Sequence, residues 1–362
     1  MEIRTVRAEL WSLPLHAPFA ISQRIAYTAE NVFIFLDCMG DDGPVTGCGA
    51  SAPVAYVTGE TTDTVLAAVA GIERRLSGIR LFSRDEALEI VNEELASMPA
   101  ARAGLEIAIY DAWGKANGRS LWQLFGGAQP SVQTDITIPI TPPAAAGVLA
   151  AKAAEAGFNI LKIKVGACEG PDEDLARIRA IAQSAPASRI RIDANQAFAA
   201  AAAIDFIHKL GGITDRIELI EQPVVHSDIE GLKTVRGAID YPVFADEAVC
   251  TAEDARRLIE HDAVDGINIK LMKSGITGAL EIIDLCKAAG KKLMIGCMLE
   301  TELGIAAAAQ LAAGTGAFDH IDLDSHRLLA PVPQITGGIT HAGDIITVDT
   351  HAAGWGVQVK QD

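Results

Sequence analysis

Lys162, Lys164, Asp193, Glu221, Asp246 and Lys270 are the residues through which this 362-residue chain could do chemistry. Each stands in or at the end of a short β-like run: LKIKVG, RIRIDAN, IELIEQP, PVFADE and INIKL. From Lys164 to Lys270 the steps are each about one strand–helix unit long. Three carboxylates in succession make an oxygen site for a hard divalent cation, and Mg2+ suits it, with positions left for water and substrate. Unpaired carboxylates that close would repel and demand a cation. A lysine on each flank could take a proton from, or return one to, a carbon that the metal has acidified. Lys162 and Lys164 are two apart, so both point to the same face of one strand. Lysines there need anions or a function.

Such residues cooperate only where the ends of successive strands converge. After Gly126-Gly127 eight β-like runs (DITIPI, LKIKV, RIRIDA, IELIE, PVFAD, INIKL, LMIGC and HIDLD) alternate with helix-length segments. That rhythm predicts an α/β fold with a (β/α)8-type barrel, its last helix altered, possibly (β/α)7β. Barrel active sites lie at the C-terminal strand ends, where all six residues sit. Lys164 on the second strand and Lys270 on the sixth would then flank a substrate carbon from opposite sides. An open doubly wound sheet would favour a GxGxxG loop, and none occurs.

Residues 1–127 read as an α+β capping domain: EIRTVRAELWSLPL and NVFIFLDCMG alternate as half-buried strands, Asp41-Asp42-Gly43-Pro44 is a turn, and ARAGLEIAIYDAWGKANG is a helix stopped at Gly118. The barrel occupies 128–329. The segment 330–362 (PVPQITGGIT, GDIITVDT, WGVQV) is expected to return to the capping domain.

The net charge of −17 argues against nucleic acid and against an anionic membrane as partners. The six cysteines show no CxxC pair, so neither a disulfide framework nor a zinc ribbon is expected. MEIRTVRAEL has charges where a signal peptide needs an apolar stretch, and no segment reads as a membrane span. A cytoplasmic protein is expected.

SLWQLFGG, KxK, DAN, EQP, DE and NIK together resemble the enolase superfamily, in its muconate-lactonizing-enzyme-like subgroup, over nearly the whole chain. The resemblance implies that Asp193, Glu221 and Asp246 ligate Mg2+ and that Lys164 and Lys270 are the acid/base pair. It implies that Lys162 helps to hold the substrate carboxylate or enolate, that Asn195 and Glu247 support the site, and that Glu247 orients Lys270. One departure follows Lys270: the family often carries KxGG, whereas this chain reads Lys273-Ser274-Gly275-Ile276, which we expect to be a loop.

Asp322 and Asp324 in HIDLDS are two apart and suit a cationic group such as a free amino terminus. This DxD resembles the mark of dipeptide epimerases, including the L-Ala-D/L-Glu type. The resemblance implies that a dipeptide's second α-carbon is inverted through an enediolate by two-lysine 1,1-proton transfer. N-acylamino-acid racemases, cycloisomerases and o-succinylbenzoate synthases of the same subgroup are the alternatives, and DxD argues against them. A barrel metallohydrolase would need histidines at strand ends, whereas His208, His226 and His261 fall elsewhere, and His320 and His326 have no HxH partner. A non-catalytic binding protein would have no use for both lysines.

For specificity, the loop PFAISQRIAYT offers Arg24, which could pair an acidic side chain, beside Phe19, Ile21 and Ile25. Phe198, Met298 and Leu299 are apolar candidates, and Glu302 adds negative charge. The balance favours hydrophobic or aromatic dipeptides over Ala-Glu. A homo-oligomer is an expectation from the resemblance alone.

Overall fold

In the computed structural model β1 (Glu2–Ala20), β2 (Ile25–Gly40) and β3 (Gly43–Ser51) form an antiparallel sheet. The structure describes residues 1–40, 43–81 and 84–360, so Asp41 and Asp42 of the expected turn lie outside the described residues. Helices α1 (Ala55–Thr58), α2 (Thr62–Leu76), α3 (Asp85–Glu94), α4 (Pro99–Ala116) and α5 (Leu121–Leu124) follow. The contact between α4 and β3 is close enough to dictate composition. A Cβ at Gly47 or Gly49 would sit 2.2 Å or 2.0 Å from a carbonyl oxygen of α4, which only glycine avoids.

A short strand, β4 (Ser131–Gln133), precedes the main sheet. That sheet runs β5 (Ile136–Ile138), β6 (Ile160–Lys164), β7 (Arg189–Asp193), β8 (Ile217–Glu221), β9 (Val243–Ala245), β10 (Gly266–Lys270), β11 (Lys292–Gly296) and β12 (His320–Ile321), paired in sequence order and parallel throughout. One helix joins each pair: α6 (Pro143–Glu155), α7 (Pro171–Ser184), α8 (Ala200–His208), α9 (Ile229–Ala238), α10 (Ala252–Glu260), α11 (Leu271–Ala289) and α12 (Glu302–Thr315). The architecture is therefore (β/α)7β. Among the described residues no ladder hydrogen bonds join β12 to β5. Side chains bridge that seam instead: Asp324 Oδ2 accepts from Thr137 N at 2.6 Å and Thr134 Oγ1 from Leu323 N at 2.8 Å.

Period-2 alternation gives the barrel interior its layers. Leu219, Phe244 and Met294 form an apolar cluster of their own. Gly266 makes room for it, since a Cβ there would lie 2.3 Å from the Phe244 ring. Two residues further along their strands, the inward positions become charged: Glu221, Asp246 and, on β7, Asp193. This apolar cluster lies beneath Glu221 and Asp246, while buried Lys162 and Arg191, paired across β6 and β7, keep the layer beneath Asp193 charged.

The tail adds β13 (Ile335–Gly337), β14 (Ile339–Ala342), β15 (Ile345–Val348) and β16 (Val357–Val359). β15 pairs with β4, and β13 with β16. Fully buried Trp355 donates from Nε1 to Ile107 O on α4 at 2.9 Å, while Gln310 of α12 donates to its carbonyl at 2.7 Å. The tail therefore touches the N-terminal helices and the barrel alike.

Candidate active site

Cross-strand register sets Lys164 beside Asp193 and Asp193 beside Glu221. Asp246 follows β9 directly. One oxygen from each of Asp193, Glu221 and Asp246 lies within 4.8 Å of the others, and all three residues are buried. A supporting group occupies one oxygen of each carboxylate. Asn195 N donates to Asp193 Oδ1 at 2.9 Å, Asn268 Nδ2 to Glu221 Oε1 at 2.9 Å, and Lys273 Nζ to Asp246 Oδ1 at 2.6 Å. An all-oxygen, all-anionic donor set with no sulfur or imidazole fits Mg2+. Neither three-ligand cluster among the described residues contains a histidine, the ligand type a barrel metallohydrolase is expected to need.

Four lysines neutralise this cluster. Lys164 Nζ lies 2.5 Å from Asp193 Oδ2, and Lys270 Nζ 2.8 Å from Asp246 Oδ2. Their strands, β6 and β10, are separated by β7, β8 and β9, half-way round an eight-stranded barrel. The acids occupy the arc between them. Burial pushes the Asp193 carboxyl up, but Lys164 and Lys162 outweigh it and hold it down at about 2. Glu221 rises to about 7, through burial first and the Asp193 charge second. Against burial, Lys270 and Lys273 hold Asp246 below the usual carboxylate range. Burial lowers Lys270, and the Asp246 charge overrides it and raises the ammonium above the ordinary lysine value.

Above the cluster is a cavity lined by Lys164, Lys270, Asn195, Glu247, Asp322 and Asp324, and by Phe19, Ile21, Arg24 and Met298 from the expected specificity set. The structure brings these together with residues the sequence reading did not assign, including Val54, Tyr56, Val57 and Leu328. The Arg24 guanidinium stacks over the Tyr56 ring at 5.5 Å. The loop is seated by Ser22 Oγ and Gln23 Nε2, which both donate to Asn195 O at 3.1 Å.

Several placements differ from expectation. Phe198 is absent from the cavity lining: it stacks on Phe206 at 5.1 Å and bridges to Val224. Ile25 is 57% exposed, and Glu302 begins α12 outside the lining. Lys162 is 1% exposed and lies beneath the cavity. Glu247 accepts from Asn195 Nδ2 at 3.1 Å and forms no ion pair with Lys270. The β12 strand ends at Ile321, so Asp322 and Asp324 lie on the segment leaving it.

Lys273 is the largest correction. Expected in a loop, it occupies the first turn of α11, 1% exposed, and donates to Asp246 Oδ1, Asp246 O and Asn268 O. The helix breaks at Gly275 (φ 67°), and Glu106 of α4 caps the resumed helix through Ile276 N and Thr277 N. Gln222 was missed as well: its Oε1 accepts from Asp246 N at 2.9 Å and Ala248 N at 3.1 Å, fixing the backbone of the third acid.

Residues 145–362 match the enolase C-terminal domain-like family model, and residues 3–126 match the mandelate racemase/muconate lactonizing enzyme N-terminal domain. The chain belongs to this family. It is 37% identical to a hydrophobic dipeptide epimerase of Enterococcus faecalis (strain ATCC 700802 / V583), over 99% of each chain. It is 35% identical to an L-Ala-D/L-Glu epimerase of Bacillus subtilis (strain 168), over 96% of this chain and 94% of that one. The crystal structure of the Enterococcus faecalis V583 dipeptide epimerase complexed with Mg and L-Leu-L-Tyr superposes with a TM-score of 0.92 at 36% identity, covering 99% of this chain and 100% of that one. The family member described here is an isomerase, as these full-length relatives are. Among its described residues no helix is long and apolar enough to cross a membrane.

Proposed function

We propose that the chain is a cytoplasmic, Mg2+-dependent dipeptide epimerase that inverts the α-carbon of the C-terminal residue. The observation that carries this reading is one cavity holding two lysines on opposite walls together with a pair of carboxylates, Asp322 and Asp324. Residues 1–127 serve as the cap, 128–329 as the catalytic barrel, and 330–362 as the segment that ties them.

Asp193, Glu221 and Asp246 hold the ion. Bound Mg2+ would supply the Lewis acidity that makes the α-proton beside a carboxylate removable. Lys164 and Lys270 face the substrate carbon from two sides, so one removes the α-proton and the other returns a proton to the opposite face. Either can begin, which lets one site serve both epimers. Asn195 and Glu247 brace the rim through their mutual hydrogen bond. Asp322 and Asp324 supply the negative charge that a free amino terminus requires, a demand that N-acylated substrates do not make.

The side-chain pocket favours apolar residues. Phe19, Ile21, Val54, Val57, Met298 and Leu299 line it, and Arg24 faces an aromatic ring. Similar identity to a hydrophobic-dipeptide and an Ala-Glu enzyme does not separate the two preferences, and the apolar lining is what supports a slight preference for hydrophobic or aromatic dipeptides. The charge of −17 disfavours nucleic acid as a partner, and a homo-oligomer accords with the family resemblance.

The test is proton NMR in D2O with Mg2+ and pooled L,L-dipeptides. Deuterium entering the α-position of the second residue, with L,D product emerging, is the expected result. Exchange confined to N-succinyl amino acids would assign the chain to racemase chemistry instead.

A further inference from the structure

Lys162 stands between two carboxylate clusters. Its ammonium lies 2.8 Å from Glu221 Oε2 and 3.1 Å from Asp193 Oδ2 on one side, and 2.7 Å from Asp322 Oδ2 on the other. Glu221 and Asp193 belong to the metal cluster. Asp322 belongs to a second cluster with Asp135 and Asp324, again within 4.8 Å of one another and buried. Among the described residues Lys162 is the one cation in ion contact with both.

The two acids of the DxD pair are not equivalent. Asp322 is already paired with Lys162. Asp324 forms no ion pair among the described residues, and its Oδ2 accepts from the Thr137 backbone N–H at 2.6 Å. Asp322 therefore carries the direct contact of this cluster with Lys162, and Asp324 does not share it. Asp322 also competes with Glu221 and Asp193 for the Lys162 ammonium. Without that competition, Lys162 would press on the same two carboxylates that a divalent ion needs.

From this we propose that Lys162 couples the metal cluster to the DxD segment, with Asp322 as a positioning residue for the metal site. This role of Asp322 in metal binding does not rest on the dipeptide reading above.

Mg2+ affinity, measured by isothermal titration calorimetry on the full chain without substrate, tests the coupling. Asp322→Asn is expected to weaken Mg2+ binding about tenfold, a size typical of groups sharing one ion-pair network, although Asp322 is not a ligand. Asp324→Asn removes the same charge from the same cluster and is expected to change the affinity by less than about threefold. In a Lys162→Met background the Asp322→Asn effect should shrink to less than about threefold. Equal weakening by D322N and D324N would overturn the proposal, as would an undiminished D322N effect in K162M. Circular dichroism melts establish that each variant folds, and if K162M does not, the D322N and D324N comparison decides alone. If no dipeptide turns over, the functional reading fails while the calorimetric result stands on its own.

Discussion

Lys273 Nζ reaches Asp246 Oδ1 across 2.6 Å from the first turn of the helix that follows the Lys270 strand. The third acid is thereby held through one oxygen while its other oxygen faces Lys270. Replacing Lys273 with Met leaves a buried carboxylate short of its cation, a change that costs about 3–5 kcal/mol in comparable pairs. Urea unfolding should show that loss in Mg2+-free protein and a smaller one with saturating Mg2+, since the ion restores positive charge beside Asp246. Equal losses in both conditions would show that the lysine supports the helix and not the acid.

Lys164→Ala and Lys270→Ala should each lower epimerisation by about 10^2 to 10^4-fold, the usual weight of a positioned acid or base. The variants should differ in what survives. Each keeps the lysine on one wall, so each exchanges the α-proton of only one epimer with D2O, and opposite epimers in the two variants. Exchange of both epimers by either variant would rule out the two-wall arrangement.

Substrate capture should depend on pH through Asp324. Burial, reinforced by neighbouring Asp322, pushes its carboxyl up to about 6. Below that value the group is neutral and offers an ammonium no charge. kcat/KM should therefore be flat above about pH 7 and fall toward tenfold per unit below 6, and Asp324→Asn should lose this limb. The sign for folding is the reverse. A raised carboxylate favours the protonated folded state, so its contribution to stability is complete below about pH 4 and is lost as pH rises through 6.

Gly275→Ala should destabilise the protein by about 1–3 kcal/mol, the cost of a side chain in a left-handed backbone conformation. Its Cβ would also lie 2.6 Å from Glu106 Oε2. Thermal unfolding checks the magnitude. Because Glu106 then loses its seat on Ile276 N and Thr277 N, Mg2+ affinity should fall in the same variant.

Arg24→Met should change kcat/KM for hydrophobic dipeptides by less than about threefold, as a partly exposed cation–π contact contributes little. A loss above tenfold confined to acidic dipeptides would move the preference to an Arg24–carboxylate pocket.

The six chemistry-bearing residues were legible because a parallel barrel repeats one short unit. Asp193, Glu221 and Lys270 end their strands and Asp246 follows its strand directly, so spacing alone predicts that they converge. Lys273 was not legible for a local reason. Just after Lys270 the period changes from 2 to 3.6, and a residue three positions on swings back over the strand end instead of leaving it. Phe198 failed because it follows Asn195 (φ 40°) and Gln196 (φ 69°). Two consecutive left-handed residues turn the chain in a direction that side-chain type does not announce. The Lys162–Asp322 pair joins residues 160 positions apart in sequence, and only the closure of the barrel brings them together.

The seam between the first and last barrel strands has a consequence for how this protein can change. Asp324 both bridges that seam through Thr137 and lines the cavity above the acids. A substitution that alters what it reads also loosens the join between the ends of the barrel sheet, so selection for a new amino-terminal chemistry meets a folding defect at once. Phe19, Ile21 and Arg24 carry no such second duty at the seam. Variation in substrate range should therefore accumulate on the cap loop, while the DxD segment stays fixed.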